Sequence, residues 1–212
     1  MSPADSAVVT TLPLVPPVGA TRLPLRGVVC PRCARVVREE LEQQGLTVLQ
    51  VGLGGADVVP PVQGMPDAQL LQAVLGPIGF DLLEDPRDQV VEQIKALVLE
   101  LVHYTPAEQW PLLNTSVYLS ERLGRDYSYL SHLFSTRQGL TIEKYLIRQK
   151  VERAKELLSY QDDSVAEVAR QLGYRSPAHL TNQFKQVTGM TPTEFQRLDP
   201  GHRHRSGLQQ VS

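Results

Sequence analysis

Cysteine is almost missing from these 212 residues: there are two, Cys30 and Cys33, and there is a single tryptophan. Two cysteines in one Cys-x-x-Cys pair exclude a disulfide-built scaffold. Aromatic residues make up only 6% of the chain while hydrophobic content is an ordinary 42%, which suits a helical protein. No apolar run approaches the roughly 20 residues needed to cross a bilayer. The Met1 end lacks a basic stretch followed by an apolar one, so secretion is not expected and the chain reads as cytoplasmic. Phosphate-cradling glycine loops, nucleophile triads and carboxylate pairs beside a nucleophile are all missing, so the chain is read as not an enzyme. Neither sign of charge dominates, at a net charge of -2. The balance is uneven, however. Residues 1–103 carry 7 basic against 12 acidic side chains and residues 104–212 carry 14 against 11. The basic surface therefore belongs to the second half.

That half carries one helical pattern twice, about fifty residues apart. The first copy runs Leu123-Gly124, Leu130, Phe134, Gly139, Thr141, Tyr145. The second runs Leu172-Gly173, Leu180, Phe184, Gly189, Thr191, Phe195. Each copy reads as a short helix ended by Gly, a tight turn, an amphipathic helix closed by Gly, and a new helix beginning at Thr. This is the helix-turn-helix layout, whose second helix can lie in the major groove. Leading helices are expected over 114–123 and from Ser164, recognition helices over 127–137 and from Ser176-Pro177, and a long helix between the motifs over 141–160. Ser164 with Glu167, and Thr191 with Glu194, read as capping boxes.

Outward positions on the second recognition helix are Ala178, His179, Thr181, Asn182 and Lys185; on the first they are Ser128, Ser131 and His132, with Arg137 further along. Asn can pair adenine in a bidentate way, Thr offers a hydroxyl or a methyl, and Lys suits a phosphate. Leu172, Leu180 and Phe184 are the expected shared core.

The run Ile147-Arg148-Gln149-Lys150-Val151-Glu152-Arg153-Ala154, then Val165-Ala166-Glu167-Val168-Ala169-Arg170-Gln171-Leu172-Gly173-Tyr174, Phe184-Lys185 and Gly189-Met190-Thr191-Pro192 resembles the AraC/XylS family of transcription regulators over about ninety residues. The resemblance implies seven helices that hold two helix-turn-helix units apart and present both recognition helices to one face of double-stranded DNA. It implies a bacterial sequence-specific regulator. RNA polymerase stays open as a further partner, as does a homodimer through the N-terminal domain or connecting helix; no membrane partner is expected.

The first half alternates differently. Strand-like runs at 23–28, 46–51, 56–59 and 79–84 frame helical patterns after Cys33 and over 67–75, in the order strand, helix, strand, strand, helix, strand. The expected fold class is α+β: a ferredoxin-like βαββαβ domain followed by an all-α domain with two helix-turn-helix motifs. Expected boundaries are a leader at 1–21, the ferredoxin-like domain at 22–85, a connecting helix at 86–111, the DNA-binding domain at 112–198 and a tail at 199–212. Cys30-Pro31-Arg32-Cys33 lies between the first strand and first helix, and residues 22–85 look like heavy-metal-associated domains of copper chaperones and metal-pumping ATPases. That resemblance implies one soft cation held by Cys30 and Cys33, either Cu(I) or, with thiolates from a second subunit, Zn(II). The chain departs from that pattern where Gly27-Val28-Val29 precedes Cys30 and where Pro31 and Arg32 separate the cysteines. Metal binding, thiol redox sensing and a plain docking role all remain open, and no cofactor follows from the residues alone. An alternative to the regulator is a metal-trafficking protein that uses its helical half for docking.

Overall fold

The computed structural model describes residue 12 and residues 15–28, 31–160 and 163–198. The sequence expectations for the leader before residue 12, for Cys30 and for the tail at 199–212 fall outside the described residues. What results is a mixed α+β chain, mostly helical, with a small N-terminal sheet. Among the described residues no helix is long and apolar enough to cross a membrane. The chain packs as two units. One takes residues 1–97 and 116–137, the other residues 98–115 and 138–212. The sequence places both motifs in a single segment, 112–198, whereas packing groups the first motif with the sheet and the second with the C-terminal helices.

In the first unit, β1 (Thr21–Arg26), β2 (Thr47–Gly52), β3 (Gly55–Val59) and β4 (Asp81–Leu82) form an antiparallel sheet in the order β2-β3-β1-β4. Two helices, α1 (Pro31–Gln43) and α2 (Ala68–Leu75), fill the crossovers. Leu23, Leu25, Ala56 and Val58 form a buried core with Val37, Leu41, Leu71 and Leu75 of these helices. Alternation places Arg22 and Asp57 on the opposite face, directly across the β1–β3 pairing. There the guanidinium grips the fully buried carboxylate through two bonds of 2.8 Å. The helix α3 (Pro86–Tyr104) begins on this face, where its Gln93, Ala96 and Leu97 line a small cavity with Arg22 and Leu53. Val90, Val91, Ile94, Leu97, Val98, Leu101 and Val102 of this helix are all buried within the single chain.

Three details of the sheet stand out, and the last departs from the sequence expectation of a strand over 79–84. Pro24 sits inside β1, opposite Gly55; its carbonyl accepts from the Leu83 N–H at 2.9 Å. Gly55 is obligatory there, because a Cβ would lie 2.3 Å from the Leu23 carbonyl oxygen. The last strand shrinks to two residues, since Gly76–Ile78 form a 3-10 turn ended by Gly79 in the left-handed conformation at φ 90°.

The first motif completes this unit: α4 (Thr115–Leu123) and α5 (Tyr127–Gln138), with Leu119, Leu130, Leu133 and Phe134 buried. In the second unit, α6 (Ile142–Tyr160), α7 (Val165–Gln171), α8 (Pro177–Thr188) and α9 (Pro192–Arg197) enclose Val151, Ala154, Leu157, Leu158, Val168, Leu172, Leu180, Phe184 and Phe195. Ser176 caps α8 by accepting from the His179 N–H, with Pro177 at the first helical position. Thr191 and Glu194 form a complete capping box at α9. At α7 only half of the expected box is made: Ser164 accepts from the Glu167 N–H, but the Glu167 carboxylate turns to Arg170 and Gln171. A bidentate guanidinium is the stronger attraction for a carboxylate.

Candidate nucleic-acid interface

On α8 the inward stripe is Leu180 and Phe184, both fully buried. Ala178, Asn182 and Lys185 are exposed and Thr181 half-buried, at spacings of three and four that make one continuous outward stripe. Two side chains of this helix, exposed His179 and half-buried Thr181, are pre-set. The His179 ring meets Tyr174 edge-on, with centroids 5.3 Å apart. The Thr181 hydroxyl donates to the Pro177 carbonyl at 2.9 Å, which occupies its proton within the helix.

On α5 the equivalent stripe holds exposed Ser128 and His132 and half-buried Ser131. Arg137 does not join it. Leu130, Leu133, Phe134 and Arg137 stand at i, i+3, i+4 and i+7, so Arg137 follows the phase of the inward face at its exposed end. Its guanidinium reaches Asp85 at 2.6 Å and Asp88 at 3.0 Å. Asp85 also accepts from the Arg87 backbone N–H; that bond and Arg137 hold its carboxyl below the usual range. Sequence reasoning passed over Arg125, whose guanidinium lies 5.5 Å over the exposed Tyr129 ring at the start of the same helix. An Arg-x-x-x-Tyr spacing at a helix start is a signal that could have pointed to it.

The turn of the second motif rests on Trp110, which the sequence expectation leaves at the end of the connecting helix, 86–111. Trp110 belongs to a 3-10 turn at Ala107–Leu112, and its indole N–H donates to the Gln171 carbonyl at 3.0 Å, the last residue of α7. Gly173, at φ +65°, leaves the space the indole needs: a Cβ there would lie 2.3 Å from Trp110 Cγ. The Lys150 ammonium stands 3.6 Å from the centre of the same ring and 5.3 Å from that of Tyr174. Burial pushes Lys150 down to about 8 and raises Tyr174. The Tyr174 hydroxyl is buried with no hydrogen-bond partner among the described residues. Gly124 occupies the same place in the first motif at φ +60°, yet nothing lies within 4 Å of a Cβ there.

The cysteines are not brought into a described site. Cys33, in the first turn of α1, packs against the sheet core, and Cys30 is outside the described residues. Among the described residues no group of three His, Cys, Asp or Glu could hold a metal ion.

The family described as "Helix-turn-helix domain" matches residues 119–198. An uncharacterized HTH-type transcriptional regulator of Staphylococcus aureus is 34% identical over 77 residues, which is 36% of this chain and 10% of that protein. The uncharacterized transcriptional regulatory protein YesN of Bacillus subtilis is 36% identical over 75 residues, 34% of this chain and 20% of that protein. Among solved structures, the DNA-binding domain of AdpA, a global transcriptional factor in complex with a target DNA, aligns at 28% identity with a TM-score of 0.43, over 59% of this chain and 99% of that one. The chain thus spans about a tenth to a fifth of the length of these curated relatives. Residues 119–198 thus match a helix-turn-helix domain, and the relatives matched over this half of the chain are transcription regulators.

Proposed function

We propose that the whole chain acts as a DNA-binding transcription regulator of the AraC kind. One observation carries the reading: on α8 the polar residues Thr181, Asn182 and Lys185 form an outward stripe opposite fully buried Leu180 and Phe184. Ser128, Ser131 and His132 repeat that arrangement on α5. In the major groove Asn182 would read a base edge and Lys185 would neutralise a phosphate, the two halves of specific recognition. Fluorescence anisotropy with random and genomic duplexes tests this. Asn182→Ala should relax sequence preference by roughly 1–3 kcal/mol of discrimination. Lys185→Ala should weaken all sequences alike and lower the salt slope by about one unit. Equal, weak binding to random and genomic DNA would refute the function. Intact preference in Asn182→Ala would refute only that residue's role.

We infer further that residues 22–85 are a ferredoxin-like domain that senses a soft metal ion or thiol redox state. The βαββαβ element order and the antiparallel strand order β2-β3-β1-β4 support the fold. The metal reading rests on the Cys30–Cys33 spacing and on Cys33 standing in the first turn of α1, where the helix dipole favours a thiolate. Two thiolates suit Cu(I). Titration against a calibrated Cu(I) chelator should show tight binding by wild type and none by Cys30→Ser/Cys33→Ser; equal, weak binding by both removes the metal reading. DNA affinity unchanged on oxidation then removes the redox one.

A further inference from the structure

We propose that Arg137 is a positioning residue: it latches the first recognition helix to the corner between β4 and α3, so that DNA reading by the first motif depends on the sheet. The proposal rests on the DNA-reading function above and deepens it. Arg137 is the continuation of the inward stripe of α5, one turn past Phe134, and its fork spans two carboxylates, Asp85 at 2.6 Å and Asp88 at 3.0 Å.

The receiving corner is itself fixed. Asp85 opens α3, with one carboxylate oxygen on the Arg87 N–H at 2.8 Å and the other on Arg137. Its backbone carbonyl accepts from Asp88 and Gln89. Just before it, the Leu83 N–H donates to the Pro24 carbonyl of β1, and the Gln89 amide donates back to the Leu83 carbonyl at 2.9 Å. A hydrogen-bonded path therefore runs from β1 through the corner to the end of the recognition helix. A planar guanidinium held by two carboxylates fixes direction as well as distance. All three side chains keep partial access to water, at 32% for Arg137, 41% for Asp85 and 29% for Asp88. Such a contact adds little to overall stability and is weakened by salt, which suits a link that sets orientation and can be released.

The test uses the full chain, after its two half-sites have been found by selecting bound DNA from a genomic library. Asp85→Asn/Asp88→Asn removes the receiving charges while Asn keeps the helix cap. Arg137→Gln removes the latch from the other side, and Arg137→Lys keeps the charge without the fork. Simple electrostatics moves general DNA affinity in opposite directions, up for the double Asn variant and down for Arg137→Gln. Positioning moves discrimination in one direction. Both variants should lose roughly tenfold discrimination at one half-site and none at the other, the scale of one well-placed base contact, with Arg137→Lys between them and wild type. Wild-type discrimination at both half-sites in both variants overturns the proposal. If wild type discriminates at neither half-site, the DNA-reading function is what fails. Hydrogen exchange over residues 134–138 in DNA-free protein then decides the latch: faster exchange in both variants supports it, and unchanged exchange overturns it.

Discussion

The two motifs carry the same glycine, and the same substitution should cost very different amounts in each. Gly124 and Gly173 both end a leading helix in the left-handed conformation, at φ +60° and +65°. Alanine in that conformation costs about 1–2 kcal/mol through crowding of its Cβ against the carbonyl. At Gly124 nothing else changes, since open space surrounds the new methyl. At Gly173 the methyl would stand 2.3–2.6 Å from three atoms of Trp110, so the indole must leave. Its hydrogen bond to Gln171 goes with it, worth about 0.5–1.5 kcal/mol, as does much of its buried packing. Gly173→Ala should therefore cost about 3–5 kcal/mol, against about 1–2 for Gly124→Ala. The two units need not unfold together, so each needs a local probe. Trp110, the one tryptophan, reports the second unit through its emission during urea unfolding, and hydrogen exchange over 115–138 reports the first motif. In a Trp110→Ala background, with hydrogen exchange over 142–188 replacing the lost emission as the probe of the second unit, the cost of Gly173→Ala should fall to the Gly124 value. An equal cost of Gly173→Ala in both backgrounds, or unchanged Trp110 emission, would refute the reasoning.

Burial pushes Lys150 down to about 8 in the folded chain, below the ordinary lysine value of 10.5, so the folded state sheds its proton first. Stability of the second unit should rise with pH from about 8 towards 10, and Lys150→Met should flatten that rise in urea titrations read by Trp110 emission. Ser176→Ala removes the cap of α8 and should cost about 1 kcal/mol, seen as a lower thermal midpoint of the second unit, while Ser176→Asp should restore it. Gly55→Ala drives a methyl into the Leu23 carbonyl and should unpair β1 from β3, so amides of 21–26 and 55–59 should exchange faster than in Gly54→Ala, whose methyl meets nothing.

Much of the second motif was legible in the chain because its determinants are local. The stripe Leu172, Leu180, Phe184 and the Ser176-Pro177 start need only helical spacing and capping chemistry. Arg137 shows the limit. Its phase relative to Phe134 could be counted, but its partners Asp85 and Asp88 lie some fifty positions away and no local pattern names them. Trp110 hid for the same reason: a lone aromatic in a proline-bearing stretch reads as a break until Gly173 is seen to make room for it. The brevity of β4 follows from the left-handed Gly79 on one side and the helix-opening Asp85 on the other, which leave little extended chain between them.

The Arg22–Asp57 pair acts on the alignment of the sheet more than on its strength. The two side chains sit directly opposite, between the pairs Thr21–Val58 and Leu23–Ala56. A slip of β1 by one residue would set the guanidinium across from Ala56 or Val58 and leave a buried carboxylate alone. An orphaned buried charge costs about 3–5 kcal/mol, whereas the intact pair roughly breaks even with a hydrophobic replacement. The pair is thus an index pin: it penalises wrong pairings during assembly, and two apolar residues in its place would leave a sheet of similar stability whose register rests on the buried stripe Leu23, Leu25, Ala56 and Val58 alone.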